Sequence, residues 1–155
     1  MIKINVITKN TNWCKYIKNP DSYIDKKLDK LNAKNKKLKK KIIYCTLLLS
    51  GDKDIKNLNK KFRKKNKSTD VLSFPFYTKK ELNKKLSNEK EIYLGDIIIN
   101  LQKIKDKKNI KNFLIEFNDL WIHGLIHLFG HDHKREKDYL IMKKIEKKYS
   151  NLIND

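Results

Sequence analysis

Between Lys111 and Phe129 the chain spaces Phe113, Phe117, Leu120, Trp121, Leu125 and Leu128 at helical intervals, while Ile122, Ile126 and Phe129 make the opposite side apolar too. A helix apolar nearly all round has to be buried, so any fold this chain adopts must wrap that segment. The same segment ends in "HGLIHLFGHDH", His123 to His133, which contains all 4 histidines of the sequence. His123 and His127, four residues apart, project from one face, one turn above the other. Gly130 stands where a helix ends in a left-handed residue, and a turn there brings His131, Asp132 or His133 back towards the pair.

The remainder supplies the wrapping. A length of 155 residues fits one domain, spanning 1–155, with a single core. "MIKINVIT" alternates as a first strand, and Pro20 to about Leu38 has helical spacing with Pro20 in the first turn. "KKIIYCTLLLSG" reads as a buried strand ended by Gly51, and Asp52 to about Lys65 as a helix. "DVLSFPF", Asp70 to Phe76, is a short strand that Pro75 assigns to a sheet edge. The lysine-laden stretch Tyr77 to Glu91 reads as a solvated loop. "IYLGDIIIN" is a strand in which Gly95 marks a bulge or a close backbone approach, and the chain beyond Asn100 is helical. This order predicts a single α/β (α+β) domain: a mixed, mostly parallel sheet packed by helices, with a buried central helix carrying the histidines.

Cys14 and Cys45 lie in no metal-ligand spacing and read as reduced thiols. "MIKINVITKN" has no apolar signal core, and the longest apolar run, Ile42 to Leu49, is far short of the ~20 residues a membrane span needs. The expectation is a soluble cytoplasmic protein. A formal charge of +20 fits a polyanionic partner. It fits equally well a sequence drifting towards Lys, Asn and Ile, so charge supports nucleic acid without establishing it.

Two imidazoles on a rigid helix plus a third returned by a glycine turn make an open three-nitrogen site, which suits zinc. Such an ion lowers the pKa of its bound water to roughly 7 and so gives a nucleophile at neutral pH. Spacing alone leaves the third ligand open between His131, if the helix continues, and His133, if Gly130 ends it. Asp132 is either an orienting partner or a turn residue. The same histidine spacing serves metzincin proteases, but these need a glutamate directly after the first histidine, and here that position is Gly124. Glu116, two turns earlier, faces the same way but reads as solvated or as a partner that orients a ligand.

Three segments, in order, resemble the YbeY endoribonuclease family: "LNKKFRKKNKSTDVLSFPF" (Leu58 to Phe76), "YLGDIII" (Tyr93 to Ile99) and "HGLIHLFGHDH". The resemblance implies a zinc-dependent, single-strand-specific endoribonuclease in late rRNA processing, at the 3′ end of the small-subunit rRNA, and in ribosome quality control. It implies one Zn²⁺ held by His123, His127 and His133, with Arg63 completing the catalytic set. Lys60, Lys61, Lys64, Lys65 and Lys67 then form a basic approach to RNA. The implied partners are rRNA and the small ribosomal subunit, with ribosomal proteins or an assembly GTPase beside them. Thr69, Asp70, Ser73 and Asp96 match the family blocks, though caps and strand packing explain Thr69, Asp70 and Asp96 as well. Two other readings compete: an RNA-binding ribosome-assembly factor whose zinc is structural, with His131 as fourth ligand, and a metalloprotease. No side chain presents itself as a general base.

Overall fold

The structure, a computed structural model, describes residues 1–35 and 40–154. Four strands form one sheet: β1 (Ile2–Thr8), β2 (Ile42–Ser50), β3 (Val71–Pro75) and β4 (Glu91–Asn100). They lie in the order β1-β2-β4-β3, with β1, β2 and β4 parallel and β3 antiparallel on the edge. The mixed, mostly parallel sheet expected from the sequence is present, and Pro75 sits on the edge strand.

Alternation assigns the two faces. Ile2, Ile4 and Val6 of β1 and Ile43, Cys45, Leu47 and Leu49 of β2 turn into the main core. Over this face pack α1 (Pro20–Lys34), against β1, and α4 (Ile110–Leu128), against β3 and β4. α5 (Glu136–Asn154) closes over α1 and α4. The last part of the expected first helix, residues 36–39, lies outside the described residues. α2 (Asp52–Arg63) covers part of the reverse face, where Ile55, Leu72 and Ile98 form a second, smaller cluster.

α4 is buried as its pattern requires. Phe113, Phe117, Trp121, Ile122 and Leu125 have no exposed surface, and burying each of the two phenylalanines contributes roughly 1.5–3 kcal/mol. Trp13, in a 3-10 turn at Thr11–Lys15, packs its ring on Phe113 and Phe117 and donates its indole N–H to Ser50 O at 2.9 Å.

Gly95 has φ +131°, and a Cβ there would lie 2.1 Å from Phe74 O. The β2–β4 register slips at this point, so the bulge expected from the sequence is real. It moves Ile97 and Ile99 into the core while Tyr93 and Asp96 face the other way.

One expectation fails. The stretch Tyr77 to Glu91 is not a loop throughout, because Lys79–Asn88 forms a further helix, α3. Thr78 and Glu81 make a reciprocal cap: Glu81 N–H donates to Thr78 Oγ1, and Thr78 N–H donates to the Glu81 carboxylate at 2.8 Å. Leu82 is then buried and Leu86 half-buried one turn on. Two leucines among lysines are a faint stripe, yet enough once the helix start is capped.

Candidate metal centre

His123 and His127 lie in the last two turns of α4. Gly130, at φ +85°, reverses the chain, and His133 returns to the pair before α5 begins. One ring nitrogen from each of His123, His127 and His133 falls within 4.8 Å of the other two. Among the described residues this group holds three side chains and no fourth. His131 contributes its carbonyl rather than its ring: His127 Nδ1 donates to His131 O at 2.9 Å. The structure therefore brings His133, not the His131 ring, to the pair.

The hydrogen bonds assign the tautomers. His123 Nδ1 lies 2.7 Å from Glu146 Oε1, and His127 Nδ1 faces a carbonyl; both partners only accept, so both Nδ1 atoms carry the proton. The two Nε2 lone pairs are left facing each other at 3.0 Å. In neutral rings that contact is repulsive unless a proton or cation lies between them. Two nitrogens held at ~2.1 Å by a tetrahedral zinc would be about 3.4 Å apart, so the residues present fit such an ion with a small outward adjustment. Burial, then the neighbouring His123, lowers the His127 pKa and keeps the ring in the neutral form that binds metal. Burial works against a charged Glu146, but Lys143 Nζ at 2.6 Å and His123 outweigh it and hold the carboxyl below its ordinary range.

A groove of about 660 Å³ opens over His127 and His133. Arg63, Lys65, Lys79 and Lys134 line it as well. Arg63 closes α2. Lys64 then takes a left-handed conformation (φ 57°), and buried Asn59 holds the following loop by donating Nδ2–H to Lys67 O at 2.7 Å. Arg63 Nη2 donates to Ser73 O at 3.3 Å, which leans the guanidinium against β3 and towards the histidines.

The model of the family described as Endoribonuclease YbeY matches residues 7–154. The chain belongs to the YbeY family. A Pelagibacter ubique protein named Endoribonuclease YbeY is 46% identical over 150 residues, covering 94% of this chain and 92% of that one. A Wolbachia relative of the same name, from Drosophila simulans, is 35% identical over 151 residues, covering 95% and 91%. The solution structure of TM1509 from Thermotoga maritima superposes with a TM-score of 0.59 at 26% identity, over 99% of this chain and 89% of that one.

In this YbeY chain the remaining sequence candidates divide. Of the expected basic approach, Arg63 and Lys65 line the groove, and Lys61 leans over the Phe62 ring. Lys60, Lys64 and Lys67 are exposed and line no part of it. Asp70 accepts from Val71 N–H and Thr69 Oγ1–H and so caps β3, while buried Ser73 lines the groove floor. Asp96 accepts from Tyr93 Oη–H at 2.5 Å, and Glu116 accepts from Lys105 N–H at 3.0 Å; neither belongs to the histidine group. Asp132 accepts from His133 N–H at 2.7 Å and pairs with Lys134, which makes it a turn residue.

Glu146 is not among the sequence candidates. Its signal lies in the inner stripe of α5, where Met142, Ile145, Tyr149 and Ile153 repeat at helical spacing and place a carboxylate among apolar neighbours. Gly124 gains a second meaning: a Cβ there would sit 2.6 Å from Ile97 Cγ2, so α4 packs too closely on β4 for a protease-type glutamate.

Proposed function

We propose that this chain is a metal-dependent endoribonuclease using zinc. The observation that carries the reading is the convergence of three imidazole nitrogens within 4.8 Å, two of whose rings, His127 and His133, line the groove that Arg63 and Lys65 also line. His123, His127 and His133 would hold the ion, and the three-donor set leaves room for water and substrate. When bound, zinc supplies Lewis-acid activation of water and of a phosphoryl oxygen. Glu146 and the His131 carbonyl fix the orientation and tautomer of two of the rings. Arg63 can grip a phosphate with two parallel hydrogen bonds and offset charge that develops in the transition state. Lys65, Lys79 and Lys134 draw the RNA backbone into the groove.

The names of the relatives, each an endoribonuclease, support RNA as substrate. The proposal extends to late processing of the small-subunit rRNA 3′ end, ribosome quality control, a cytoplasmic site of action, and association with rRNA, the small ribosomal subunit, ribosomal proteins or an assembly GTPase; the resemblance to the family is what supports this part of it. No helix among the described residues is long and apolar enough to cross a membrane, which is compatible with that site of action. The test compares wild type with Arg63→Ala and His127→Ala in cleavage of single-stranded RNA, with metal content measured in parallel. Wild type should cleave, His127→Ala should lose both metal and cleavage, and Arg63→Ala should keep metal and lose cleavage. Equal activity in all three would show a contaminating nuclease and sink the proposal.

A further inference from the structure

The reverse face of the sheet carries a row of aromatic rings in which Phe74 and Tyr77 pack partly on the core clusters and the remainder join neither. Tyr44 of β2 is in register with Tyr93 of β4, and their rings lie 5.3 Å apart. Tyr93 meets Phe76 at 5.8 Å, and Phe76 meets Tyr77 at 5.0 Å. Phe74 of β3, two residues before Phe76 and about 7 Å back along the extended chain, meets Phe62 of α2 at 5.3 Å. Phe76, Phe62 and Tyr44 are 66%, 58% and 41% exposed. Phenylalanine has no polar atom to keep it in water, so a contiguous exposed row of such rings calls for a ligand.

Position and charge identify the ligand. Tyr77 lines the groove with Arg63 and His133, so the row runs into the candidate centre without a break. Cations stand at both arms of the row: Lys61 Nζ is 5.2 Å from the Phe62 ring and Lys85 Nζ is 5.6 Å from the Tyr77 ring. Exposed Lys3 stands beside Tyr44 in the β1–β2 register. Lys85 also pairs with Glu89, Asp52 and Asp54 lie at the start of α2, and two carboxylates of β4 share this face. Asp96 is engaged by the Tyr93 hydroxyl, and Glu91, exposed at the start of β4, marks the far end of the row. Burial, with Asp96, pushes the Tyr93 hydroxyl up to about 12, so that ring stays uncharged. Flat rings interleaved with cations match a single-stranded nucleic acid, whose bases stack while its phosphates meet lysines. A protein partner would not require the cations.

We propose that Phe62, Phe76 and Tyr44, with Tyr77 as the corner, form a stacking platform for the bases of a single-stranded RNA whose backbone enters the groove at Arg63. The inference rests on the endoribonuclease reading and adds a second, base-contacting surface to it.

The experiment measures binding of a dye-labelled, 12-nucleotide single-stranded RNA by fluorescence anisotropy, with metal chelated so that nothing is cleaved. Phe76→Ala should weaken binding roughly five- to hundred-fold, as should Tyr44→Ala to a smaller degree. The slope of log affinity against log salt should stay the same in both, because stacking releases no counterions. Lys65→Ala should instead lower that slope by about one. Phe76→Trp should bind like wild type and have its new indole fluorescence quenched by RNA. Unchanged affinity in both alanine variants, against a wild type that binds and cleaves, overturns the platform and leaves the endoribonuclease reading standing. A wild type that neither binds nor cleaves RNA overturns that reading, and the platform with it. If Phe76→Ala keeps RNA affinity but alters sedimentation of the protein, the row is a protein interface and the proposal fails.

Discussion

Glu146 Oε1 stands 2.7 Å from His123 Nδ1, and its other oxygen takes a hydrogen bond from Lys143 at 2.6 Å. One carboxylate therefore ties α5 to the ring at the heart of the histidine group and fixes which of its nitrogens is free. His127 has the same arrangement with a backbone carbonyl, which no substitution can remove.

Glu146→Ala should accordingly weaken zinc binding about 10–100-fold, the usual effect of losing such a partner. Competition against a zinc-sensitive chelator measures this directly. Glu146→Gln keeps an acceptor but no charge and should fall between the two. Affinity unchanged in Glu146→Ala would mean the contact is incidental.

Metal should also report on the fold. Zinc at ~100 times its dissociation constant adds about 2.7 kcal/mol to the folded state. Thermal melts of wild type with and without zinc should show the corresponding rise. His133→Ala, at an exposed position, should melt like metal-free wild type and gain little from zinc. A full zinc shift in that variant would remove His133 from the site.

Gly124→Ala should destabilise the protein by about 1–3 kcal/mol, because the new methyl meets Ile97 Cγ2 at 2.6 Å and Ser73 Oγ at 3.2 Å. Urea denaturation gives the value. Adding Ile97→Ala removes the obstacle, so the double variant should lose less than the sum of the single losses. Strict additivity would show that α4 yields without strain.

At low pH the start of α2 should weaken. Asp54 is held below the ordinary carboxylate range by hydrogen bonds from Lys9 at 2.7 Å and Ser50 at 2.7 Å; Asp52 is lowered by Ser68 and Asn100. A depressed native pKa stabilises the fold above the unfolded value and loses that contribution as pH falls through the native one. Stability should therefore be insensitive to these groups at neutral pH and decline below about pH 4. Asp54→Asn should flatten part of that decline, and an identical acid limb in the variant would contradict the assignment.

The elements with strong periodicity are legible in the sequence. Local pattern determines the largely apolar α4, the alternating β1 and the edge strand with Pro75. Spacing marks His123 and His127 and leaves the third histidine open between His131 and His133, a choice that the geometry of the turn after Gly130 makes. Glu146 is only half legible: the inner stripe of α5 turns its carboxylate inwards, but that it meets His123 depends on where α5 docks, which is a tertiary fact. α3 is hidden for a different reason, since eight of its ten residues are polar and its start is signalled only by Thr78 and Glu81. The lysine run illustrates the limit of charge as evidence. Lys64, adjacent to Arg63, is spent on a helix end, while Lys79 and Lys134 reach the groove from distant segments.

The bulge at Gly95 has a reach beyond its own strand. By shifting the phase of β4 it presents Ile97 to α4, and Ile97 fills the space over Gly124, the residue next to His123. The depth at which the histidines sit above the sheet is thus set by two absent side chains, one on the strand and one on the helix. Any chain that drifted at either position would have to recalibrate the other before its imidazoles could meet at the same height.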